Sequence, residues 1–294
     1  MERYNKNNYD IFRMLNVCDN DIFGSMNISD RLELISLIKK YYLEYRDKIN
    51  VSDDITFGIE IEFENANRSE IESRLLKLFP DLKWCVVDDG SLVDGGEINS
   101  PILRDNNNDW INLSKVCDIV AKNSNGFDHA GGHIHIGMQI LGNNPKYWAN
   151  FIKLWACYEP IIYRFLYGEF ISPRERIIEQ ASPIANDIIS DLDRIDERSK
   201  MVLSSYILKL LDKDKKRKRC VNFTNISDID PLKYGMVADK NTVEIRAANG
   251  TDDAVIWQNN VNFLIKLFLY AKSDNFNEEL INRRLRELKE GNSI

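Results

Sequence analysis

All three histidines of the chain fall within seven residues, His129-Ala-Gly-Gly-His133-Ile-His135. Side chains two apart on a strand share a face, so a strand here presents His133 and His135 together while Ile134 and Ile136 pack behind them. The same alternation recurs in Thr56-Phe-Gly-Ile59-Glu60-Ile61-Glu62-Phe63-Glu64, which sets Ile59, Ile61 and Phe63 against a row of glutamates. In Val243-Glu244-Ile245-Arg246 the apolar pair alternates with Glu244 and Arg246. Carboxylates side by side on one strand face repel, so the row needs water or a cation opposite it. Glu64 is expected to turn to water at the strand end and is not counted in the site. Three strands with ionisable inner faces predict a polar cleft.

The inner-face set is Glu60, Glu62, Asp89, Glu97, His133, Glu244 and Arg246. Several hard oxygen ligands suit Mg²⁺ or Mn²⁺, and one imidazole among them favours Mn²⁺ or a mixed site. Neither an all-thiolate nor a three-histidine zinc centre is supported. A carboxylate-rich metal cluster beside an arginine is what phosphoryl transfer requires, because the cations and the guanidinium neutralise charge on the phosphate. The chain carries neither GxxxxGK[ST] nor a strand-linked GxGxxG, so a nucleotide would need another scaffold.

The positioning elements follow from periodicity and punctuation. An amphipathic helix is predicted from Asp30 to about Lys48, after weak signals over residues 1–28. Ser69-Glu-Ile-Glu72 is a capping-box signature for a helix from Glu70 to Phe79. A strand Lys83–Val87 and a strand Glu97–Asn99 follow, separated by the turn signals Asp88-Asp89-Gly90 and Asp94-Gly95-Gly96. Helices are expected over Asp109–Asn123, over Pro145–Tyr167 with a bend at Pro160, and over Asn186–Leu211. Asn249 to Asp252 reads as a loop and N-cap before an apolar helix Asp253–Ala271 and a charged terminal helix. Trp148, Phe151, Trp155 and Tyr158 read as a core stripe of the Pro145 helix. Strands and helices mix without regular βαβ alternation, which predicts an α+β fold with a mostly antiparallel sheet.

At 294 residues the chain can bury a sizeable core, and 44% apolar with 29% charged residues is ordinary for a globular protein. A net charge of -7 argues against a general nucleic-acid binder. The basic run Lys213 to Arg219 reads as a solvated loop, with contact to an acidic substrate as the minority reading. Five cysteines without a CxxC pair fit a reducing compartment, with Cys85, Cys117 and Cys157 as small core residues. Residues 1–30 show no apolar signal-peptide core and no run reaches the length of a membrane span, so a cytoplasmic protein is expected.

Four motifs taken in order resemble the amidoligases of the glutamine synthetase and glutamate-cysteine ligase superfamily, specifically the group described as putative amidoligase enzymes. They are Phe57-Gly-Ile-Glu60-Ile-Glu62; Asp88-Asp89-Gly-Ser-Leu92 with Gly96-Glu97-Ile-Asn-Ser-Pro101; Gly131-Gly-His133-Ile-His135-Ile; and Val243-Glu244-Ile-Arg246 with Asn249-Gly-Thr251. The resemblance implies a glutamine synthetase-like catalytic domain over 51–294, a curved sheet backed by helices, with residues 1–50 a helical extension packed on it. It implies ATP and Mg²⁺, with Mn²⁺ as the substitute ion. Glu60, Glu62, Asp89, Glu97, His133 and Glu244 would be metal ligands, and Arg246 would stabilise the transferred phosphate, with Glu60 and Glu244 essential to catalysis. The reaction implied is activation of a carboxylate as an acyl phosphate, followed by attack of a small-molecule amine, on a glutamate-like or peptide carboxylate. Family members often carry R-x-x-N-x-Y-C after the long helix, whereas this chain has Ser172-Pro-Arg174-Glu-Arg176-Ile, leaving Arg174 to bind a substrate carboxylate.

Other readings stand beside these. Glu60 and Glu62 alone could be surface carboxylates, and Arg246 could simply pair with Glu244 or a neighbouring strand. His135 reads as either a second metal ligand or a hydrogen-bonder supporting a ligand or substrate, with support the favoured reading, and His129 is expected to be structural or on the cleft rim. A metal-dependent hydrolase using His133, His135 and the acids is the alternative enzyme. A non-catalytic nucleotide- or peptide-binding module is the alternative without chemistry, though a buried acidic set is costly without a role. No membrane partner is expected, and an oligomer is compatible with the sequence.

Overall fold

The computed structural model describes residues 45–80, 84–142, 144–166, 177–198, 218–226 and 241–290. Six strands form one open sheet: β1 (Phe57–Phe63), β2 (Cys85–Val87), β3 (Gly96–Asn99), β4 (Gly131–Gly137), β5 (Val221–Asn222) and β6 (Thr242–Asn249). They lie in the order β2-β3-β1-β4-β6-β5, with every ladder antiparallel. Eight α-helices lie among the described residues. They are α1 (Arg68–Leu78), α2 (Asn107–Asn123), α3 (Pro145–Leu166), α4 (Ile177–Gln180), α5 (Ala185–Ser190), α6 (Leu192–Arg198), α7 (Ala254–Lys272) and α8 (Glu278–Lys289). The mixed α/β architecture with an antiparallel sheet is the one the patterning predicts. No described helix is long and apolar enough to cross a membrane.

Alternation of side chains gives the sheet two unlike faces. One carries Phe57, Ile59, Ile61, Phe63, Ile98, Ile134, Ile136, Val243 and Ile245, all buried. Helices supply its cover: Phe57 stacks on Trp110 of α2 at 5.0 Å, and Phe151 of α3 stacks on Phe268 of α7 at 4.0 Å. Trp148, Phe151 and Trp155 are buried and Tyr158 half-buried, as a core stripe requires. Gly132 belongs to this face, because a Cβ there would meet the Trp257 ring at 2.1 Å. Trp257 is fully buried and cannot swing away. Gly132→Ala is therefore expected to destabilise the fold by about 1–3 kcal/mol through overpacking, read as a lower denaturation midpoint; an unchanged midpoint would contradict this packing.

Several local expectations are corrected. Helix α1 starts from Asn67, whose side chain accepts from Glu70 N–H at 3.2 Å, so Ser69 lies inside the first turn and makes no capping box. Helix α3 loses regular geometry at Tyr158 (φ -124°, ψ 15°), two residues before the expected bend. Pro160 has no N–H for the carbonyl of Ala156, so the distortion falls in the preceding turn. The helix expected from Asn186 is broken at Asp191, whose carbonyl accepts from Arg194 and Ile195 and starts α6; its part beyond Arg198 lies outside the described residues. Cys85 is exposed, since it pairs with Asn99 on the edge strand and faces away from the helical layer. Arg219 is no solvated residue either: its side chain is 12% exposed and reaches Asp187 at 2.7 Å.

Residues 1–44, Arg174 and residues 213–217 of the basic run lie outside the described residues. Of the region expected as an N-terminal extension, residues 45–50 are tied to the core. Asp105 accepts from Ile49 N–H at 2.8 Å and Val51 N–H at 3.0 Å, and Arg46 N–H donates to Gln258 Oε1 at 2.8 Å.

Candidate active site

The opposite face of the sheet collects the ionisable residues. β1 lies between β3 and β4, and the register sets Glu62 opposite Glu97 and Glu60 opposite His133. β4 lies beside β6, with His135 opposite Glu244. Between Gly132 and Ile134 the β4–β6 register slips, because β6 spends one residue more than β4 there. Such a bulge twists a strand locally, and this one falls at Arg246 and Ala247.

Glu60 is the hub. Its Oε2 lies 2.8 Å from His133 Nδ1 and its Oε1 lies 2.8 Å from His135 Nε2. The other nitrogen of His135 is 3.0 Å from Thr242 Oγ1, so this ring is held at both ends and orients Glu60, as a supporting hydrogen-bonder does. His133 Nε2 is buried 3.3 Å from Glu62 Oε1 yet makes no hydrogen bond among the described residues. Glu62 Oε2 also accepts from the Gly131 N–H. Glu244 Oε2 accepts from Asn222 Nδ2 at 2.8 Å and Asn225 Nδ2 at 3.2 Å. Arg246 donates to Glu244 Oε1 through Nη1 and to the Gln180 carbonyl through Nε at 3.2 Å.

Burial alone would raise Glu60, but the hydrogen bonds from His133 and His135 hold its carboxyl well below the usual range. Glu244 behaves alike: burial opposes ionisation, and the charges of His133 and Arg246 outweigh it and pull the carboxyl down. Glu97 goes the other way. Burial, then the negative charges of Glu60 and Glu62, push it up to about 8. A carboxyl so reluctant to ionise marks a surplus of negative charge.

Three overlapping groups offer ligand atoms within 4.8 Å of one another: Glu60, Glu97 and His133; Glu60, His135 and Glu244; and Glu62, Asp89 and Glu97. Glu60 and Glu97 each serve two of them. The donors are carboxylate oxygens with imidazole nitrogen, the set a hard divalent cation accepts. The buried, unbonded His133 Nε2 and the raised Glu97 are what such an ion would relieve, so these residues fit it.

The structure brings together Glu60, Glu62, Glu97, His133, His135, Glu244 and Arg246 on the sheet and adds Asp89 from the loop after β2. Glu64 overturns its expectation. It is 1% exposed rather than turned to water, and accepts from the N–H groups of His129 at 2.8 Å and Val93 at 3.3 Å. His129 Nδ1 lies 3.1 Å from the same carboxylate, on the rim of this face. Sequence reasoning assigned no role to Thr242, Asn222 or Asn225, nor to Asn99, whose Nδ2 donates to Glu97 Oε1 at 2.9 Å. Thr242 stands two residues before Glu244 and Asn99 two after Glu97, so alternation could have found both. Asn222 and Asn225 carry no comparable signal.

One cluster of carboxylates and imidazoles built by four separate stretches of chain is the setting for the comparison with known proteins. No curated protein matches the chain. The family model described as "Putative amidoligase enzyme" matches residues 77–268, about two-thirds of the 294-residue chain. The match spans Asp89, Glu97, His133, His135, Glu244 and Arg246, while Glu60 and Glu62 precede it and join the site through the pairing of β1 with β3 and β4. The chain belongs to the family described as "Putative amidoligase enzyme", a family of amide-bond-forming ligases.

Proposed function

We propose that the protein is an ATP-dependent, ADP-forming carboxylate–amine ligase with a glutamine synthetase-like catalytic domain, acting on a glutamate-like or peptide carboxylate. The observation that carries this reading is the trio of overlapping acidic groups, linked through Glu60 and Glu97, with the Arg246 guanidinium beside Glu244. Direct amide formation from an ionised acid and an ammonium is uphill in water, and a phosphate leaving group removes that obstacle. A substrate carboxylate oxygen would attack the γ-phosphorus with loss of ADP, and an amine would then displace phosphate to form the C–N bond.

Glu60, Glu62, Asp89, Glu97, His133 and Glu244 would hold two or three Mg²⁺ or Mn²⁺ ions, whose charge would screen the phosphate oxygens. Each protein group then has a task. His135 fixes the Glu60 carboxylate while Thr242 fixes His135. Asn222 and Asn225 hold Glu244 in place, and Arg246 stabilises charge on the transferred phosphoryl group. Arg174 is the candidate for binding a substrate carboxylate.

The direct test is calorimetric titration of ATP into the protein with and without Mg²⁺. Binding that depends on the ion supports the reading and justifies a hydroxylamine trap for acyl phosphates across candidate carboxylates. If the folded protein binds no nucleotide yet takes up zinc tightly, the metal-dependent hydrolase replaces it. The ion itself should show a defined pH response. Glu97 is protonated below about 8 and must lose that proton to act as a ligand, so Mg²⁺ affinity should increase as pH rises toward 8 and level off above it. The slope approaches about tenfold per pH unit for one displaced proton. Titrations in buffers of different ionisation enthalpy count the proton; release of none at pH 6.5 would contradict this role for Glu97.

A further inference from the structure

Arg246 does not stand on its own strand alone. Its main-chain N–H donates to the Cys220 carbonyl at 2.9 Å, and its side-chain Nε donates to the Gln180 carbonyl at 3.2 Å. Both acceptors belong to a thin layer made by the end of α4 and the chain entering β5. Within it Ser182 N–H donates to the Lys218 carbonyl at 2.6 Å and Cys220 N–H donates to the Ser182 carbonyl at 2.9 Å. The Tyr163 hydroxyl donates to the Ala181 carbonyl.

One side chain underlies both halves of this layer. Glu159, in α3 immediately after the distorted Tyr158, is 4% exposed. Its Oε1 accepts from Trp155 Nε1 at 2.9 Å, Ile184 N–H at 2.8 Å and the Cys220 thiol at 3.3 Å, and its Oε2 accepts from Ala185 N–H at 3.0 Å. Burial and the nearby negative Glu159 push the Cys220 thiol well up, which keeps it a donor. Four donors converging on two oxygens make a carboxylate the fitting group, since its oxygens only accept.

We propose that Glu159 is a positioning residue for Arg246: it clamps the 180–185 segment to Cys220, and so fixes the two carbonyls on which the main chain and side chain of Arg246 hang. An arginine placed by a rigid acceptor keeps its guanidinium aimed at one point rather than sampling its rotamers, which is the preorganisation that charge stabilisation needs. The geometric claim is independent of the reaction; its catalytic consequence rests on the ligase reading above.

The test uses the full chain with ¹⁵N-labelled arginine, with the Arg246 Nε–H resonance assigned by its loss in Arg246→Lys. Glu159→Gln keeps one acceptor oxygen but turns an NH₂ toward a backbone N–H, and Tyr163→Phe removes only the hydroxyl donated to Ala181. In both folded variants Arg246 Nε–H exchange with water should accelerate by about tenfold, the factor matching the net worth of one hydrogen bond. Trp110 Nε1–H, bonded to Asp105 at 2.8 Å in another part of the core, is the control for global opening and should change less. Equal acceleration at both sites, or no change at Arg246, would overturn the proposal, and if Glu159→Gln fails to fold, Cys220→Ala, which removes the thiol that donates to Glu159, takes its place with the same two outcomes. Where the parent forms hydroxamate, Glu159→Gln should lower kcat with KM for ATP held. An inactive parent whose Arg246 signal still responds would remove the ligase reading and leave the positioning role standing.

Discussion

Glu60→Gln should lower ATP-dependent hydroxamate formation by about 10³-fold or more, the loss expected when a central group of a charge-stabilising site is removed. Mg²⁺ affinity should fall by about 10- to 100-fold in the same variant. The reason lies in the position of the carboxylate. It takes part in two of the three ligand groups and receives both imidazoles, so a neutral amide loses a charge and places a donor against His133 or His135. Volume is conserved, and the apolar face of β1 is untouched, so cooperative unfolding should persist. A corollary separates this from general damage. Glu60 is one of the charges that push Glu97 up, so removing it should let Glu97 ionise at lower pH and move the proton release on Mg²⁺ binding downward. Near-normal turnover in both Glu60→Gln and Glu244→Gln would remove the cation assignment.

Arg246→Ala should reduce kcat by about 10²- to 10³-fold while leaving Mg²⁺ affinity far less changed. Glu244 loses its guanidinium partner in this variant, but Asn222 and Asn225 still hold its other oxygen, so the ligand set stays assembled. The effect then falls on the step in which phosphate charge is stabilised. Arg246→Lys keeps a charge but not the fork that reaches Glu244 and the Gln180 carbonyl together, and should recover only part of the rate. Steady-state kinetics with the carboxylate that supports hydroxamate formation provides the measurement. A change confined to KM for the amine would place Arg246 in the acceptor pocket instead.

How much of this site could be read from the chain depends on how local each signal is. Glu60 and Glu62, His133 and His135, and Glu244 and Arg246 were legible because a strand turns alternate side chains to opposite sides whatever its neighbours are. Glu64 obeyed the same alternation and was misread, since its burial comes from the N–H groups of His129 and Val93, residues 65 and 29 positions away. Cys85 failed for a related reason: three apolar-looking residues do not reveal that their strand will stand at the edge of the sheet. Asn67 shows competition between two plausible caps two residues apart, decided by where the chain leaves β1.

By itself the sequence determined the strands β1, β4 and β6, which face of each is apolar, and that their carboxylates and histidines lie on the other face; these follow from backbone geometry acting over two or three residues. Only the tertiary structure decided that β1 sits between β3 and β4, that Glu60 comes opposite His133 and Glu62 opposite Glu97, and that Arg246 hangs from Gln180 and Cys220. Strand order and register are settled by packing between segments far apart in the chain, where each pairing gains only if the helical layer and the neighbouring strands close at the same time.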